Sequence, residues 1–263
     1  MVYLIQMRNT IISRIKYRGN MFWGLAWSVA ALLPQVFLWR ALFGDAETVA
    51  GATLAQMYTF LVISRLISNG INLRTGRLFE ERMKSGDVAL DMLRPCDPRN
   101  LSSAQAGGES IVGMLLDGLP TFLIAIVIVG GILPPATGAH FILFLLSTAL
   151  AIALSVVFQM LIGLAAFWFL SVWLLDWCIR FFLALFSGGI VPLWFMPQWV
   201  QTVAAWLPFQ YMHFVPIQIY LGNYTVEESV FAIALQVLWI ALLYILQKIL
   251  WRSAVHRMVV LGG

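Results

Sequence analysis

Charge is scarce in this chain. Only 11% of its 263 residues are Asp, Glu, Lys or Arg, less than half of the roughly 25% that covers a soluble domain. A water-facing surface cannot be assembled from so few. Cysteine occurs twice, at Cys96 and Cys178, both near expected cytoplasmic ends of spans, so a disulfide scaffold is excluded. Histidine occurs three times, at His140, His213 and His256, with no second histidine at metal-ligand spacing. No serine or cysteine sits beside a histidine base, so a nucleophilic triad has no support. There is no G-x-x-x-x-G-K-[ST] phosphate loop. The beginning of the chain lacks the small-x-small site of a cleavable signal peptide.

Apolar residues are what the chain has instead, at 61%, well above the soluble norm of roughly half. The composition predicts an all-α polytopic membrane protein with one permease domain over 1–263. Spans are expected at Trp23–Phe43, Leu54–Leu73, Ile111–Leu133, Phe141–Leu170, Trp173–Val191 and Val230–Trp251. All basic residues except Arg40, Arg65 and Arg180 then fall on one side, which the positive-inside tendency makes cytoplasmic, together with both chain ends. The net charge of +4 is therefore topological and does not point to nucleic acid. Residues 1–20 read either as an interfacial amphipathic helix, with Leu4, Met7, Ile11 and Ile15 on one face, or as a plain basic segment orienting the first span. No internal repeat of the inverted-transporter kind is visible.

The stretch Ser187–Leu221 is almost wholly apolar yet carries Pro192, Pro197, Pro208 and Pro216 after the pair Gly188–Gly189. Each proline removes an amide donor and clashes with the preceding turn. One straight span is forbidden, and the piece from 193 to 221 is too short for two. The expectation is a re-entrant outer hairpin of two short helices between the fifth and sixth crossings. Broken backbone of that kind is tolerated only under protein cover. An even count of six crossings keeps the basic tail inside; a seventh would expel it. Trp194, Trp199, Trp206 and Tyr211 are then expected at the outer interface.

The one sizeable polar segment is 74–108. The second span is expected to continue as a charged helix through Lys84, to end at Gly86, and to be followed by a short helix from Asp87 stopped by Pro95. Val88, Leu90 and Leu93 offer apolar contacts to a partner's groove; the alternative is a solvated loop that only sets topology. Two charges, Arg65 and Asp117, lie inside spans at similar depth and are expected to pair, either structurally or as a lining of a translocation path. Asp176 and Arg180, one turn apart, read as a local pair.

The segment EERMKSGDVALDMLRP resembles the coupling segment of type-2 ATP-binding cassette exporter permeases. Ser187–Leu221 resembles that family's outer hairpin, with its Gly-rich helix end, Pro-x-x-x-x-Pro-x-Trp and later Leu-Pro-Phe. YRGNMFWGLAWSVAALLPQVFLWRALF is similar to a bacterial branch often encoded as paired permeases. The resemblance covers nearly the whole chain, although Asp87-Val88-Ala89-Leu90 stands where the family commonly has Gly-Thr-Leu-Glu. It implies that Glu80, Glu81, Arg82, Gly86, Asp91, Leu93 and Pro95 meet a separate ATP-binding cassette subunit, which holds ATP and Mg²⁺, while this chain binds no cofactor or metal and is not itself an enzyme. It implies an outer gate from Gly188, Gly189, Pro192, Pro197, Trp199, Leu207, Pro208 and Phe209. It further implies a second permease subunit, a bacterial cytoplasmic membrane, and export of a drug, lipid or similar amphiphile. The competing readings are a proton-coupled secondary transporter using Arg65 and Asp117, a membrane-embedded lipid-modifying enzyme, and an assembly scaffold.

Overall fold

The computed structural model describes residues 2–16, 19–71, 74–93, 97–169 and 173–261. Its helices in chain order are α1 (Val2–Lys16), α2 (Gly19–Phe43), α3 (Leu54–Gly70), α4 (Thr75–Lys84), α5 (Asp87–Met92), α6 (Pro98–Val112), α7 (Leu119–Val129), α8 (Gly138–Ala165), α9 (Trp173–Phe186), α10 (Gln198–Ala205), α11 (Phe214–Leu221) and α12 (Val226–Leu261). A two-stranded hairpin, Thr48–Val49 with Ala52–Thr53, joins α2 to α3.

Four helical stretches are long and apolar enough to cross a membrane: Trp23–Phe43, Pro98–Val129, Gly138–Ala165 and Val226–Val255. The protein is therefore multi-pass. The other two expected spans are shorter. At 1.5 Å per residue, the 17 residues of α3 reach about 26 Å and the 14 of α9 about 21 Å, against a hydrocarbon core of roughly 30 Å.

Threonine caps start three of these helices. Thr53 and Gln56 exchange hydrogen bonds at the head of α3, with Gln56 N–H donating to Thr53 Oγ1 at 3.2 Å and Thr53 N–H to Gln56 Oε1 at 2.9 Å. Thr225 and Glu228 form the same reciprocal box before α12, and Thr137 Oγ1 accepts from His140 N–H before α8. Each box satisfies amides that a helix end leaves orphaned.

Helix α8 is the hub, packing on α12, α11 and α4. Its contact with α12 is fixed in register by two buried amides. Gln236 donates to Ser147 O (3.1 Å) and Tyr211 O (2.9 Å) and accepts from Ser147 Oγ (3.0 Å). Gln247 donates to Val157 O. Apolar packing alone orients helices weakly in lipid, so such bonds choose the rotation.

The long helix through α6 and α7 is continuous but widens into a π-helical turn at Gly113–Gly118. Close packing explains the glycines: a Cβ at Gly113 would lie 2.4 Å from Asn69 O, and one at Gly118 3.2 Å from Leu66. The helix begins at Pro98, capped by Asp97, well before the expected Ile111.

The second span does not run on to Lys84. Ile71 is extended (φ −81, ψ 108), and α4 starts afresh at Thr75. The break turns α4 across α8 at a glycine crossing. A Cβ on Gly76 would meet Gln159 O at 2.8 Å, and one on Gly163 would meet Gly76 O at 3.0 Å.

Helix α1 lies against α6, where a Cβ on Gly108 would come within 2.9 Å of Met7 O. Thr10 is buried there and Asp97 N–H donates to Tyr3 Oη. The face turned away carries Val2, Leu4, Ile5 and Ile12. Leu4 is thus exposed instead of sharing Met7's packed side.

Candidate functional site: a pinned short helix, a polar cavity and a broken segment

Helix α5 follows Gly86, whose φ of +82 favours glycine. Val88 is its inner anchor, 1% exposed and clustered with Phe79, Met160, Leu164, Phe167 and Ala254. Asp91 is 3% exposed and forms an ion pair with Arg82. Glu80, on α4, is likewise buried and accepts from Lys84 Nζ at 2.7 Å. Asp91 therefore ties α5 to Arg82 on α4, while Glu80 pairs within α4; both are buried instead of lying open to a partner, as the resemblance implied. Val88, expected to face a partner, faces inward. The outward side of α5 carries Leu90 (63% exposed), Met92 and, just past the end, Leu93 (83% exposed). Glu81 is also exposed and borders, with Arg82, Gln105 and Glu109, a cleft of about 100 Å³ between α4 and α6. Pro95 lies outside the described residues.

The expected Arg65–Asp117 ion pair is not formed. Arg65 Nη2 donates to Ala31 O at 3.0 Å, in the turn of α2 that Pro34 loosens by withholding an amide. Asp117 sits on the π-helical turn facing Gly24, where a Cβ would lie 3.5 Å from its Oδ1. Asn69 stands in the same layer, donating to Arg65 O (2.9 Å) and Ser28 Oγ (3.4 Å). Arg65 thus finds its acceptor on α2 and not on the π-helical turn. Asp176 and Arg180 do form their local pair, at 2.9 Å.

A cavity of about 260 Å³ opens between α2, α3, α9 and the turn after α9. Its polar lining is Gln35, Arg65, Ser68, Arg180, Ser187 and His213. His213 Nε2 lies 3.2 Å from Ser68 Oγ. Neither Ser68 nor His213 stood out in the sequence, although Ser64, Arg65, Ser68 and Asn69 at helical spacing in an apolar span were a readable signal.

The stretch after α9 is broken as its prolines require. A 3₁₀ turn (Leu193–Phe195) follows Pro192, α10 follows Pro197, and a second 3₁₀ turn (Pro208–Met212) begins at Pro208. No helix within it exceeds eight residues, about 12 Å, so none crosses alone. Its first turn is tied down: Ser64 Oγ donates to Gly189 O (2.7 Å), Phe214 N–H to Ser187 O (3.1 Å) and Gly189 N–H to Ser187 Oγ (3.2 Å). Gly188 has φ +71 with Phe214 packed over it. Of the aromatics expected at an interface, Trp199 and Trp206 are exposed. Trp194 packs edge-on against Phe60 at 5.1 Å, and Tyr211 is buried, because its carbonyl serves Gln236. Leu207 and Phe209 are half-buried, with Phe209 against Phe158 at 5.3 Å.

Among the described residues no three His, Cys, Asp or Glu gather as a metal set. No curated protein matches the chain. A family model described as ABC-2 family transporter protein matches residues 29–262, which takes in α3 to α12 and most of α2. The match takes in the apolar helices, the polar helices α4 and α5 and the proline-broken stretch, and the chain belongs to the ABC-2 transporter family, as a multi-pass permease of the ATP-binding cassette type.

Proposed function

We propose that this chain is the permease of an ATP-driven exporter of an amphiphilic or hydrophobic cargo, working beside a second permease subunit, identical or paralogous, in a bacterial cytoplasmic membrane. ATP and Mg²⁺ are held by a separate ATP-binding cassette subunit that docks on α5. The observation that carries this reading is the exposure of Leu90 and Leu93 on a helix pinned from behind by Val88 and by the Arg82–Asp91 pair. An apolar edge held rigidly at a polar end of the bundle fits a groove in a partner. Because α4 crosses α8 backbone to backbone at Gly76 and Gly163, a push on α5 is passed to α8, and from there to α11 and α12.

In this reading α3 and α9 complete six crossings, both chain ends are cytoplasmic, and the stretch from Ser187 to Leu221 dips into the outer leaflet and returns. Gly188, Gly189, Pro192, Pro197, Trp199, Leu207, Pro208 and Phe209 belong to that outer gate. Closure of the ATP-binding subunits rocks the two permeases, and cargo passes between the α3–α9 side of the bundle and the outer segment.

Co-purification with the ATP-binding subunit tests the docking. Burying a leucine contributes about 1.5–3 kcal/mol, so Leu90→Glu with Leu93→Glu is expected to abolish the complex while leaving the permease folded. Retention of the complex at wild-type yield refutes docking at α5.

A further inference from the structure

The cavity between α2, α3 and α9 is charged in a way that selects its occupant. None of its eleven lining residues is Asp or Glu. Arg180 is matched by Asp176. Arg65 is not matched: among the described residues it forms no ion pair, and its guanidinium makes one hydrogen bond, to Ala31 O. A guanidinium has five donors in a planar fork. An arginine at membrane depth without a counter-anion is costly. Beside it, His213 is buried and its Nδ1 has no partner, while Nε2 engages Ser68. Whichever tautomer the ring adopts, one further polar bond is wanted there.

We propose that this cavity binds the anionic headgroup of the exported amphiphile, a phosphate, sulfate or carboxylate, with Arg65 as its principal ligand. The inference rests on the permease reading and names the cargo class. A planar fork matches two oxygens of such a group bidentately. Gln35, Ser68 and Ser187 offer neutral hydrogen bonds around it. The volume of about 260 Å³ admits a headgroup and several waters, at about 30 Å³ per water. The remaining lining, Ile71, Leu183, Ala184 and Ile190, is apolar, and Trp177 and Phe181, on the preceding turns of α9, are exposed. A headgroup seated on Arg65 with its tail along α9 uses both.

The test is saturable binding of radiolabelled tetradecyl phosphate to the full chain in phosphatidylcholine nanodiscs, with empty discs subtracted. Unlabelled tetradecyl phosphate, tetradecyltrimethylammonium, tetradecyl maltoside and inorganic phosphate are the competitors. Only the anionic amphiphile is expected to compete at low concentration, and Arg65→Gln is expected to weaken binding at least tenfold, with Arg65→Lys recovering part of it. Gln35→Glu, which places a carboxylate beside Arg65, is expected to neutralise the site and abolish the preference for the anionic amphiphile. Equal competition by all three amphiphiles, or unchanged binding in both Arg65→Gln and Gln35→Glu, overturns the proposal. Equal competition by inorganic phosphate overturns the amphiphile assignment. Stimulated ATP hydrolysis by the assembled complex is measured separately: selective binding without any amphiphile-stimulated hydrolysis refutes the exporter reading and leaves the site standing.

Discussion

Replacing Gly76 by alanine places a methyl carbon 2.8 Å from Gln159 O, 3.1 Å from Gly163 N and 3.3 Å from Ile162 Cβ. Ordinary contact begins near 3.4 Å, so α4 must retreat from α8 by about 0.6 Å. Two of the three neighbours are backbone, and no rotamer change relieves them. Overpacking of this kind costs about 1–3 kcal/mol. At roughly 2–4 °C per kcal/mol for a chain of this size, the apparent midpoint of thermal unfolding in detergent is expected to fall by about 2–12 °C. Membrane proteins often unfold irreversibly, so scans must share one heating rate. Gly163→Ala meets Gly76 O and Phe79 Cβ at 3.0 Å and is expected to fall by a similar amount. The double variant is expected to lose less than the sum, because one separation of the helices relieves both clashes. Gly107→Ala is the control, as nothing lies within 4 Å of its Cβ; it should be neutral or slightly stabilising. If Gly76→Ala melts with Gly107→Ala, the tight crossing that ties α4 to α8 does not exist.

Gly86→Ala is expected to destabilise α5 by about 1–2 kcal/mol through its left-handed backbone alone, read as faster proteolysis between 85 and 93, with Gly86→Asn milder. Gln236→Leu removes three hydrogen bonds between α8, α12 and the Tyr211 carbonyl and should lower stability by about 1–2 kcal/mol, seen in the same thermal assay; no change would mean that packing alone sets that register. Arg65→Leu and Asp117→Leu are expected to couple by less than about 1 kcal/mol in a double-mutant cycle, since no direct pair joins them. A coupling in the 3–5 kcal/mol range of a broken buried pair would restore the direct contact.

Much of the bundle was readable because lipid leaves few options. Apolar runs between Asp45 and Glu47, the arginine-rich middle and the uncharged Pro134–His140 connection marked the helices, and the prolines after Gly189 break the stretch where they stand. The misreadings concern what spacing cannot carry. The continuity of α3 into α4 failed because the glycine crossing of Gly76 and Gly163, 87 positions apart, rewards a turn at Ile71. Arg65 and Asp117 share a depth but not a direction, which is set by the rotation of α2 and by the π-helical turn at Gly113–Gly118. Glu80 and Asp91 were read as contact residues because they match the coupling segment that the chain resembles. Glu80 is taken up by Lys84 one turn along α4, and the pairing of Asp91 with Arg82 depends on how α5 folds back on α4 after the left-handed Gly86.

The claim on which the functional reading turns is that α5 and the proline-broken stretch lie on opposite sides of the membrane. In chains with Cys96 and Cys178 replaced by serine, single cysteines at Gln198 and at Leu93 report both positions to a membrane-impermeant maleimide. The expected result is labelling of Gln198→Cys in intact cells, and labelling of Leu93→Cys only after permeabilisation. Labelling of Leu93→Cys from outside, or of both positions from the same side, would contradict the account.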